Sequence, residues 1–260
     1  MSSPASEKPS HGHFVSIIIP AYREEEYIED TLVDVVERLR GTRFQFEVIV
    51  ILDSVPGDRT GLIVHRQCER FSEIRLIERL GRRGVGDAIR TGISLAQGDI
   101  LAPMMGDLSE SSSDLVKLLD AVAEGCDVAI GVRFQHGRPP GYSVLKYLAN
   151  RFCNYLIRLL FRIPSSDTTN AFKAYRTELL KESTFLSKGF EIFVEIPVKL
   201  LRNRNLKIVN IPVQHTVRKK RQAKLSLIKD GPRYAKMIVS LFASVETGGL
   251  AVGSPWVVMN

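Results

Sequence analysis

The sequence predicts an α/β fold in which a mostly parallel sheet is flanked by helices. Short apolar runs, several of them rich in β-branched residues, alternate along the chain with longer segments of helical spacing. The runs are apolar at nearly every position, which is typical of strands that are buried on both faces. Strands that alternate with helices favour right-handed crossovers and therefore a parallel sheet.

The elements follow one another regularly in the first half of the chain. The first strand is followed by a helix with glutamates in its first turn and arginines in its last, as the helix dipole favours. The predicted strands cover residues 15–20, 47–52, 74–78, 100–105, 127–132 and 206–211. The predicted helices cover residues 24–40, 60–71, 87–97, 145–163, 191–202 and 228–245, and one more starts within residues 109–114.

Residues 145–163 combine apolar side chains at helical spacing with interspersed lysine and arginine. One interpretation is a basic amphipathic helix that lies in a membrane interface. The alternative is a helix that packs its apolar side on the sheet and leaves its arginines solvated. The sequence leaves both interpretations open. The apolar residues are Leu145, Leu148, Phe152, Tyr155, Leu156, Leu159 and Leu160.

The composition is that of a globular protein with anionic partners. With 260 residues, 44% of them hydrophobic, the chain is long enough to bury one α/β core. The net charge of +7 favours nucleotides, phospholipid surfaces or nucleic acid as partners. The spacing of Cys68, Cys126 and Cys153 suits no metal site, so we expect reduced, buried thiols in a cytoplasmic protein. We expect neither a signal peptide nor a membrane-spanning run.

Polar and aromatic residues follow three of the predicted strands at the point where each strand ends. They are Pro20, Ala21, Tyr22 and Glu24 after the first strand, Asp53 after the second, and Gly106 and Asp107 after the fourth. In a parallel sheet these positions lie at one edge, where ligands bind. Acidic groups there suit the base N–H groups and ribose hydroxyls of a nucleotide, and the tyrosine offers a stacking face. Each aspartate alone is more typical of a turn.

Asp107 has two interpretations. A carboxylate at this edge suits a divalent metal that bridges phosphate oxygens, because hard cations prefer oxygen ligands. Alternatively, Asp107 caps the helix that follows it. Its position in the sequence does not distinguish the two.

The glycine-rich segment 81–86 resembles a phosphate-binding loop only in its glycine content. It lacks the spacing of the nucleoside-triphosphatase and dinucleotide motifs, so neither function is supported. Arg133, at the end of the strand at 127–132, is a candidate for neutralising a pyrophosphate or an acceptor phosphate. Arg218 and Lys224, in a basic loop, are candidates for the same role. The five histidines have no metal-binding spacing, and we assign them no role.

The order of these segments resembles glycosyltransferase family 2, and within it the dolichyl-phosphate or polyprenyl-phosphate mannosyltransferase-like group. The resemblance covers roughly residues 15–229. It rests on SIIIPAYREEEYIEDTL, VIVILDSVPGDRT, GRRGVGDAIRTGISLAQGDI, GVRF, SSDTTNAFKAYR, GFEIFVEIPVKL and the arginine and lysine that begin and end RKKRQAK. It implies the GT-A fold, which has a mixed, mostly parallel, Rossmann-like sheet flanked by helices, here with amphipathic C-terminal helices.

The resemblance also implies a division of the chain. A GT-A domain would cover residues 14–230, with a nucleotide-binding half that ends at about residue 133 and an acceptor half from about residue 134. A disordered tail at residues 1–13 would precede it. An amphipathic segment and tail at residues 231–260 would follow it.

The function implied by the resemblance is an inverting transfer of a mannose- or glucose-type sugar. The donor would be a GDP- or UDP-sugar, and the acceptor a polyprenyl phosphate at the cytosolic face of a membrane that the protein touches peripherally. Asp107 would hold Mg²⁺ or Mn²⁺, Arg133 and Arg218 would share the diphosphate charge, and Lys224 would lie near the acceptor phosphate. Asp167 and Glu191 would contact the sugar or the acceptor, or act as structural caps. A homo-oligomer is compatible with this reading.

The chain departs from the family pattern where it matters for metal binding. The usual Asp-x-Asp has Met105 at its first position, so a metal would depend on Asp107. LDSVPGD keeps only Asp53 of a usual pair of aspartates, and RKKRQAK lacks the family's glycine and serine. A catalytically silent nucleotide-binding module is therefore one alternative.

Two further alternatives concern the partner. A soluble glycosyltransferase could act on a saccharide or small-molecule hydroxyl, with Asp167 or Glu191 as the base. A nucleic-acid binder agrees with the net charge of +7. It is disfavoured because the basic residues are dispersed and no recognised binding motif accompanies them, so we expect no nucleic-acid partner.

Overall fold

The structure, a computed structural model, describes residues 12–81, 83–135, 137–202, 205–216, 227–246 and 258–259. The strands are β1 (Phe14–Ala21), β2 (Gln45–Ser54), β3 (Ile74–Leu80), β4 (Ile100–Pro103), β5 (Val128–Val132), β6 (Lys173–Arg176), β7 (Ile208–Pro212) and β8 (Val258–Met259). The helices are α1 (Ile28–Arg40), α2 (Thr60–Arg70), α3 (Val85–Leu95), α4 (Ser112–Ala123), α5 (Val144–Phe161), α6 (Thr177–Lys181), α7 (Ile192–Arg202) and α8 (Leu227–Glu246).

The strands form one mixed, mostly parallel sheet in the order β3-β2-β1-β4-β6-β5-β7-β8. β1 lies between β2 and β4 and is parallel to both. β5 is parallel to β7, whereas β6 runs antiparallel to both β4 and β5. The predicted fold class is confirmed. The carboxyl ends of β2, β1 and β4 therefore lie side by side, as the sequence predicts.

The central strands are buried on both faces, as their continuous apolar sequences predict. Along β1, Ile17 and Ile19 belong to one apolar cluster and Ile18 to another, because successive side chains of a strand point to opposite faces. Residues of α1 and α4 complete the first cluster, and residues of α3 and α7 complete the second. The sheet is thus the middle of three layers, and its carboxyl edge is left for a site.

Helix α1 begins at Ile28, later than the predicted start at residue 24. The prediction is wrong because a turn precedes the helix. Arg23 adopts a left-handed conformation with a φ of 52°, and the Glu24 N–H donates to Thr60 Oγ1 at 2.8 Å. The Glu24 carbonyl then accepts from the N–H groups of Tyr27 and Ile28. Glu24 therefore belongs to the edge of the sheet and not to the first turn of the helix.

Three short elements, β6, α6 and β8, were not predicted. β6 has only four residues and begins with Lys173, which is fully buried. A strand this short with a charged residue has no apolar pattern to reveal it. α6 has five residues, too few to show helical periodicity, and β8 has two.

Helix α5 packs on the core through Asn154, Ile157 and Phe161. The apolar residues at its other side are exposed, among them Leu145 and Phe152. Helix α5 therefore packs on the core and leaves its arginines exposed, as the second interpretation predicts, whereas contact of its exposed apolar side with a membrane interface stays a prediction. Among the described residues, no helix combines the length and the apolar character that crossing a bilayer requires.

The three cysteines are free, as expected. Cys126 is buried, but Cys68 and Cys153 are only partly so, and the expectation of burial is wrong for these two. The proposed division into a nucleotide-binding half and an acceptor half stays a prediction. Most of the predicted tail at residues 1–13 lies outside the described residues.

Candidate active site

The carboxyl ends of β1, β2 and β4 meet at one edge of the sheet. Ala21, the last residue of β1, pairs with Leu52, so Asp53 lies one residue beyond that pair. The N–H of Met104 donates to the carbonyl oxygen of Ile18 at 2.9 Å and extends the contact between β1 and β4. The predicted grouping of the strand ends is confirmed, and it places the candidates from three strands beside one another.

Gly106 brings the end of β4 against the turn that follows β1. A Cβ atom on Gly106 would lie 3.0 Å from Ile28 Cδ1 and 3.3 Å from Ile19 Cγ2, so this close approach favours glycine. Glu24 Cγ lies 3.7 Å from the same position, and Glu24 is fully buried. Tyr22 is half-buried, with its ring centroid 5.6 Å from Arg23 Cζ. Gly106 and Glu24, which follow different strands, are thus neighbours.

Asp53 fixes the loop that leads into α3. Its Oδ2 accepts from the N–H groups of Arg83 and Gly84, each at 2.9 Å, and its Oδ1 accepts from Arg79 Nη2. Gly84 has a φ of 100°, and a Cβ atom there would lie 2.5 Å from the carbonyl oxygen of Lys188. The glycine-rich segment is therefore held against Asp53. The predicted contact of Asp53 with a nucleotide base stays a prediction.

Asp107 forms a turn and does not cap a helix. Its Oδ1 accepts from the Ser109 N–H at 3.0 Å, and Leu108 between them is left-handed with a φ of 54°. Helix α4 begins only at Ser112, with Ser111 as its N-cap residue. The alternative in which Asp107 caps this helix is therefore wrong. The partly exposed carboxylate lies at the edge where a metal was predicted.

Two side chains beside Asp107 carry no recognisable signal in the sequence. Glu110 is buried, its Oε2 accepts from the Met105 N–H at 2.8 Å, and it pairs with His215 through a single β-bridge. Burial, assisted by the charge of Asp107, raises the pKa of Glu110 to about 8. Burial and the charge of Arg133 lower the pKa of His215 to about 4, so its imidazole is neutral near pH 7.

Arg133 forms a buried ion pair with Asp167. Arg133 Nε donates to Oδ2 at 2.9 Å, Nη2 donates to Oδ1 at 2.8 Å, and the backbone N–H donates to Oδ2 at 3.0 Å. Burial by itself would raise the pKa of Asp167, but the charge and hydrogen bonds of Arg133 hold it below the ordinary value. Asp167 is fully buried and orients Arg133. Its predicted contact with sugar or acceptor stays a prediction.

Thr169 connects this ion pair to helix α5. Its Oγ1 accepts from Asn150 Nδ2 at 2.8 Å and from Asn154 Nδ2 at 2.9 Å, and Arg133 Nη2 lies 3.4 Å away. The Thr169 N–H donates to Asn154 Oδ1 at 3.1 Å. The inner side of α5 is therefore part of the support of Arg133.

Two further charged side chains are buried at β6 and before α7. Lys173 Nζ donates to the carbonyl oxygens of Asn170 and Phe193, and burial lowers the pKa of Lys173 to about 7. Glu191 Oε1 accepts from the Gly189 N–H at 3.0 Å, whereas its buried Oε2 has no hydrogen-bond partner among the described residues. The predicted role of Glu191 in sugar or acceptor contact stays a prediction.

Arg218 and Lys224 lie outside the described residues. The segment that leads to them lies beside Asp107 in the fold. The Thr216 N–H donates to the Ser109 carbonyl oxygen at 3.0 Å, and the Gln214 N–H donates to Asp114 Oδ2 at 2.7 Å. The chain therefore enters the predicted basic loop from the side of the predicted metal site.

The groups near Asp107 suit a cation whose coordination is completed by the phosphate oxygens of a substrate. No group of three or more Asp, Glu, His or Cys side chains in the described ranges could hold a metal by itself. Asp107 offers a carboxylate, and its charge acts on His215, which offers a neutral imidazole. Mg²⁺ and Mn²⁺ prefer oxygen ligands such as this carboxylate and take phosphate oxygens and water for the rest. The residues present therefore fit a metal that is bound together with a diphosphate.

Comparison with known proteins agrees with the fold. The model of glycosyl transferase family 2 matches residues 16–184. Dolichol-phosphate mannosyltransferase of Pyrococcus furiosus is 28% identical over 214 residues, which are 81% of this chain and 59% of that relative. Polyprenol monophosphomannose synthase of Mycolicibacterium smegmatis is 27% identical over 230 residues, 86% of this chain and 84% of that relative. This chain thus spans less than two thirds of the Pyrococcus protein.

Solved structures of glucosyl-3-phosphoglycerate synthase from Mycobacterium tuberculosis have the same fold. The complex with UDP has a TM-score of 0.66 at 18% identity and covers 94% of this chain and 87% of its own. The complex with Mn²⁺, UDP and phosphoglyceric acid has a TM-score of 0.63 at 18% identity and covers 90% and 79%. Since the family model covers more than half of the sequence, this chain belongs to glycosyltransferase family 2 and carries a glycosyltransferase domain with the GT-A fold.

Proposed function

We propose that this chain is an inverting glycosyltransferase that moves a mannose- or glucose-type sugar from a nucleotide sugar to a polyprenyl phosphate. An oxygen of the acceptor phosphate attacks the anomeric carbon, the bond from that carbon to the diphosphate breaks, and the nucleoside diphosphate leaves. The acceptor is already an anion near neutral pH, so the protein needs no strong base and mainly positions and neutralises charge. The names of the two relatives support a lipid phosphate as acceptor.

The observation that carries the proposal is the placement of opposite charges at one edge of the sheet. The Asp107 carboxylate accepts from Ser109, whose carbonyl oxygen accepts from Thr216 next to His215. The ring of Tyr142 packs against both His215 and Phe134, the residue that follows Arg133. A carboxylate suits a divalent cation, and a guanidinium suits phosphate oxygens, so both requirements of a nucleoside diphosphate are met at this edge.

All but one of the predicted residues would have a role in the proposed site, which His215 joins. The nucleotide would lie at the strand ends formed by Pro20, Ala21, Tyr22, Glu24, Asp53 and Gly106. Asp107 and His215 would hold Mg²⁺ or Mn²⁺, which when bound would neutralise charge on the diphosphate. Arg133, positioned by Asp167, would share that charge with Arg218, and Lys224 would act on the acceptor phosphate.

We place the reaction at the cytosolic face of a membrane, with the protein bound peripherally. A polyprenyl chain keeps its phosphate at the bilayer surface, so the enzyme has to work there. The described helices agree with attachment from one side, since none of them is suited to crossing the bilayer.

A hydroxyl acceptor is the second candidate, and Glu191 is the observation that favours it. A hydroxyl would need a general base, and the unpartnered Oε2 of Glu191 is able to accept a proton. Asp167 is less suited to that role, because both of its oxygens are bonded to Arg133. In this case the chain would be a soluble glycosyltransferase for a saccharide or a small molecule.

The first test is donor binding. The melting temperature of the protein is measured with GDP-sugars and UDP-sugars, in Mn²⁺ or in EDTA, for the wild type and for Asp107→Ala. We expect one class of donor to raise the melting temperature of the wild type in Mn²⁺ only, and Asp107→Ala to lose that shift. Asp30→Ala, an exposed carboxylate on α1, is the matched control and should keep it.

The acceptor is tested with the donor that binds. Transfer to a short-chain polyprenyl phosphate should exceed transfer to sugar hydroxyls, and Glu191→Gln should leave it within about threefold. Loss of hydroxyl transfer in Glu191→Gln would favour the second candidate. Donor binding without any transfer would mean a catalytically silent module. No shift with any nucleotide sugar would contradict the proposal.

A further inference from the structure

The outer side of helix α5 is an apolar stripe exposed to solvent. Its residues follow one another at spacings of three or four, so they lie on one side of the helix. Their exposed fractions are 70% for Leu145, 57% for Leu148, 63% for Phe152, 62% for Tyr155 and 60% for Leu159. We call these five residues the α5 stripe.

The α5 stripe takes no part in the core. The side of the helix that faces the protein carries Asn154, Ile157 and Phe161, which are buried. Helix α8 packs beside α5, and its own apolar residues Val239 and Phe242 are exposed. Apolar surface of this extent on a soluble domain marks a binding surface for a protein or a membrane.

The charges around the α5 stripe indicate which kind of partner it binds. Residues 128–166 contain no aspartate and no glutamate, whereas they contain Arg133, Arg138, Lys146, Arg151, Arg158 and Arg162. Arg151 and Arg158 are exposed on α5. Long basic side chains next to an apolar face can keep their charge in the headgroup region while the stem stays in contact with apolar surface. An anionic lipid surface therefore matches both the apolar and the charged residues of the helix.

A second copy of the chain matches this surface less well. If two α5 stripes packed on each other, the exposed arginines of both copies would approach one another. No acidic side chain of the segment 128–166 is available to offset that repulsion. The charge pattern therefore favours lipid over self-association.

Helix α5 also connects this surface to the candidate active site. Asn150 and Asn154 on its inner side hold Thr169, which lies 3.4 Å from Arg133 Nη2. One helix is about 10 Å thick, so the outer stripe and the ion pair of Arg133 are only about that far apart. A protein that lies on the membrane through α5 therefore has Arg133 close to the headgroups.

We propose that the α5 stripe lies in the headgroup interface of a bilayer that contains anionic lipids and holds the active site over the lipid phosphate. The second half of this statement depends on the proposed function, whereas the binding to lipid does not. The proposal assigns the binding to apolar contact by the stripe and to attraction between its neighbouring arginines and lipid phosphates.

The experiment is vesicle flotation of the full chain without nucleotide. Vesicles contain phosphatidylcholine alone or with phosphatidylglycerol, and the variants are Leu148→Asp/Phe152→Asp in the stripe and Arg158→Glu beside it. The wild type should float with the anionic vesicles, and the double variant should bind them at least about tenfold more weakly. Arg158→Glu should weaken binding to anionic vesicles and leave binding to neutral ones unchanged.

Leu62→Asp is the matched control. Leu62 lies on α2 and is 63% exposed, the same fraction as Phe152, but it is not part of the stripe. This variant should float like the wild type. Circular dichroism and thermal melting establish that all variants are folded, which we expect because the replaced side chains are exposed.

Three results would overturn the proposal. The first is a wild type that binds neither kind of vesicle, and the second is a stripe variant that floats as well as the wild type. The third is a wild-type dimer and a monomeric stripe variant in sedimentation, because a second copy would then cover the stripe. Vesicle binding without sugar transfer would contradict only the proposed function, and transfer to a soluble acceptor without vesicle binding would contradict only the docking surface.

Discussion

Helices α1 and α5 are both amphipathic, but they place their apolar residues differently. Helix α1 faces inward with its apolar side, and Ile28, Leu32, Val35, Val36 and Leu39 are fully buried. Helix α5 buries Ile157 and Phe161 and directs Asn150 and Asn154 toward Thr169, but the α5 stripe faces outward. The apolar side of α1 thus completes the core, whereas α5 packs through apolar and polar residues and leaves a second apolar side exposed.

The surroundings of the two helices share a second feature, a buried arginine–aspartate pair at a strand end. Asp53 pairs with Arg79 near the first strands, and Asp167 pairs with Arg133 beside α5. The first pair holds the loop that leads into α3, whereas the second is linked through Thr169 to α5. The contrast indicates that the region beside α5 is organised around Arg133 and its surroundings.

Breaking the ion pair between Arg133 and Asp167 should have the largest effect on stability. Asp167→Asn leaves the Arg133 guanidinium buried without its counter-charge, and we expect a loss of about 3–5 kcal/mol in the free energy of unfolding near pH 7. Urea unfolding measures this difference. Asp30→Asn, at an exposed site, should change the free energy by less than about 0.5 kcal/mol. A loss at Asp167 below about 1 kcal/mol would mean that the pair does not organise the region beside α5.

The same variant has a pH dependence with a defined sign. The pKa of Asp167 in the folded protein lies below its ordinary value of about 4. The stabilisation by the ion pair with Arg133 is therefore fully present at every pH above that ordinary value. It is lost as the pH falls through the lower pKa of the folded state. The difference between wild type and Asp167→Asn should therefore be constant from pH 5 to pH 7 and shrink only in stronger acid.

Leucine-to-alanine substitutions sharpen the comparison of the two helices. Leu32→Ala in α1 removes a fully buried side chain and should lower the free energy of unfolding by about 2–5 kcal/mol. Leu148→Ala in α5 removes an exposed one and should change it by less than about 0.5 kcal/mol. Equal losses in the two helices, measured by urea unfolding, would show that the α5 stripe is covered within the folded chain.

The smallest effect is expected from Lys173, a buried lysine in β6. The pKa of Lys173 is about 7 in the folded protein because of burial and about 10 in an unfolded chain, so between these values the unfolded state binds more protons. The wild type should therefore gain stability relative to Lys173→Met as the pH rises above 7, by about 1 kcal/mol per pH unit. Thermal melts of both proteins from pH 6 to pH 9 check this. A difference that does not change with pH would mean that Lys173 titrates alike in both states.

The sequence by itself determined the fold class and the strand-end part of the site. Strands β1 and β2 are continuous apolar runs, and only strands buried on both faces have that pattern. Because parallel strands end at the same edge, Asp53 and Asp107 had to lie at one edge of the sheet once the strands were recognised. That argument needs only the direction of the strands.

Only the tertiary structure decided which groups surround those residues. Arg133 and Asp167 are 34 residues apart, and Glu110 pairs with His215 through a single β-bridge. No local sequence pattern predicts either contact. The start of α1 moved because the side chain of Thr60, from the next helix, holds Glu24 in a turn. The orientation of α5 could not be predicted from the sequence either. Periodicity shows that a helix has an apolar side, but only the structure shows that α5 packs through Asn154, Ile157 and Phe161 and leaves the α5 stripe exposed.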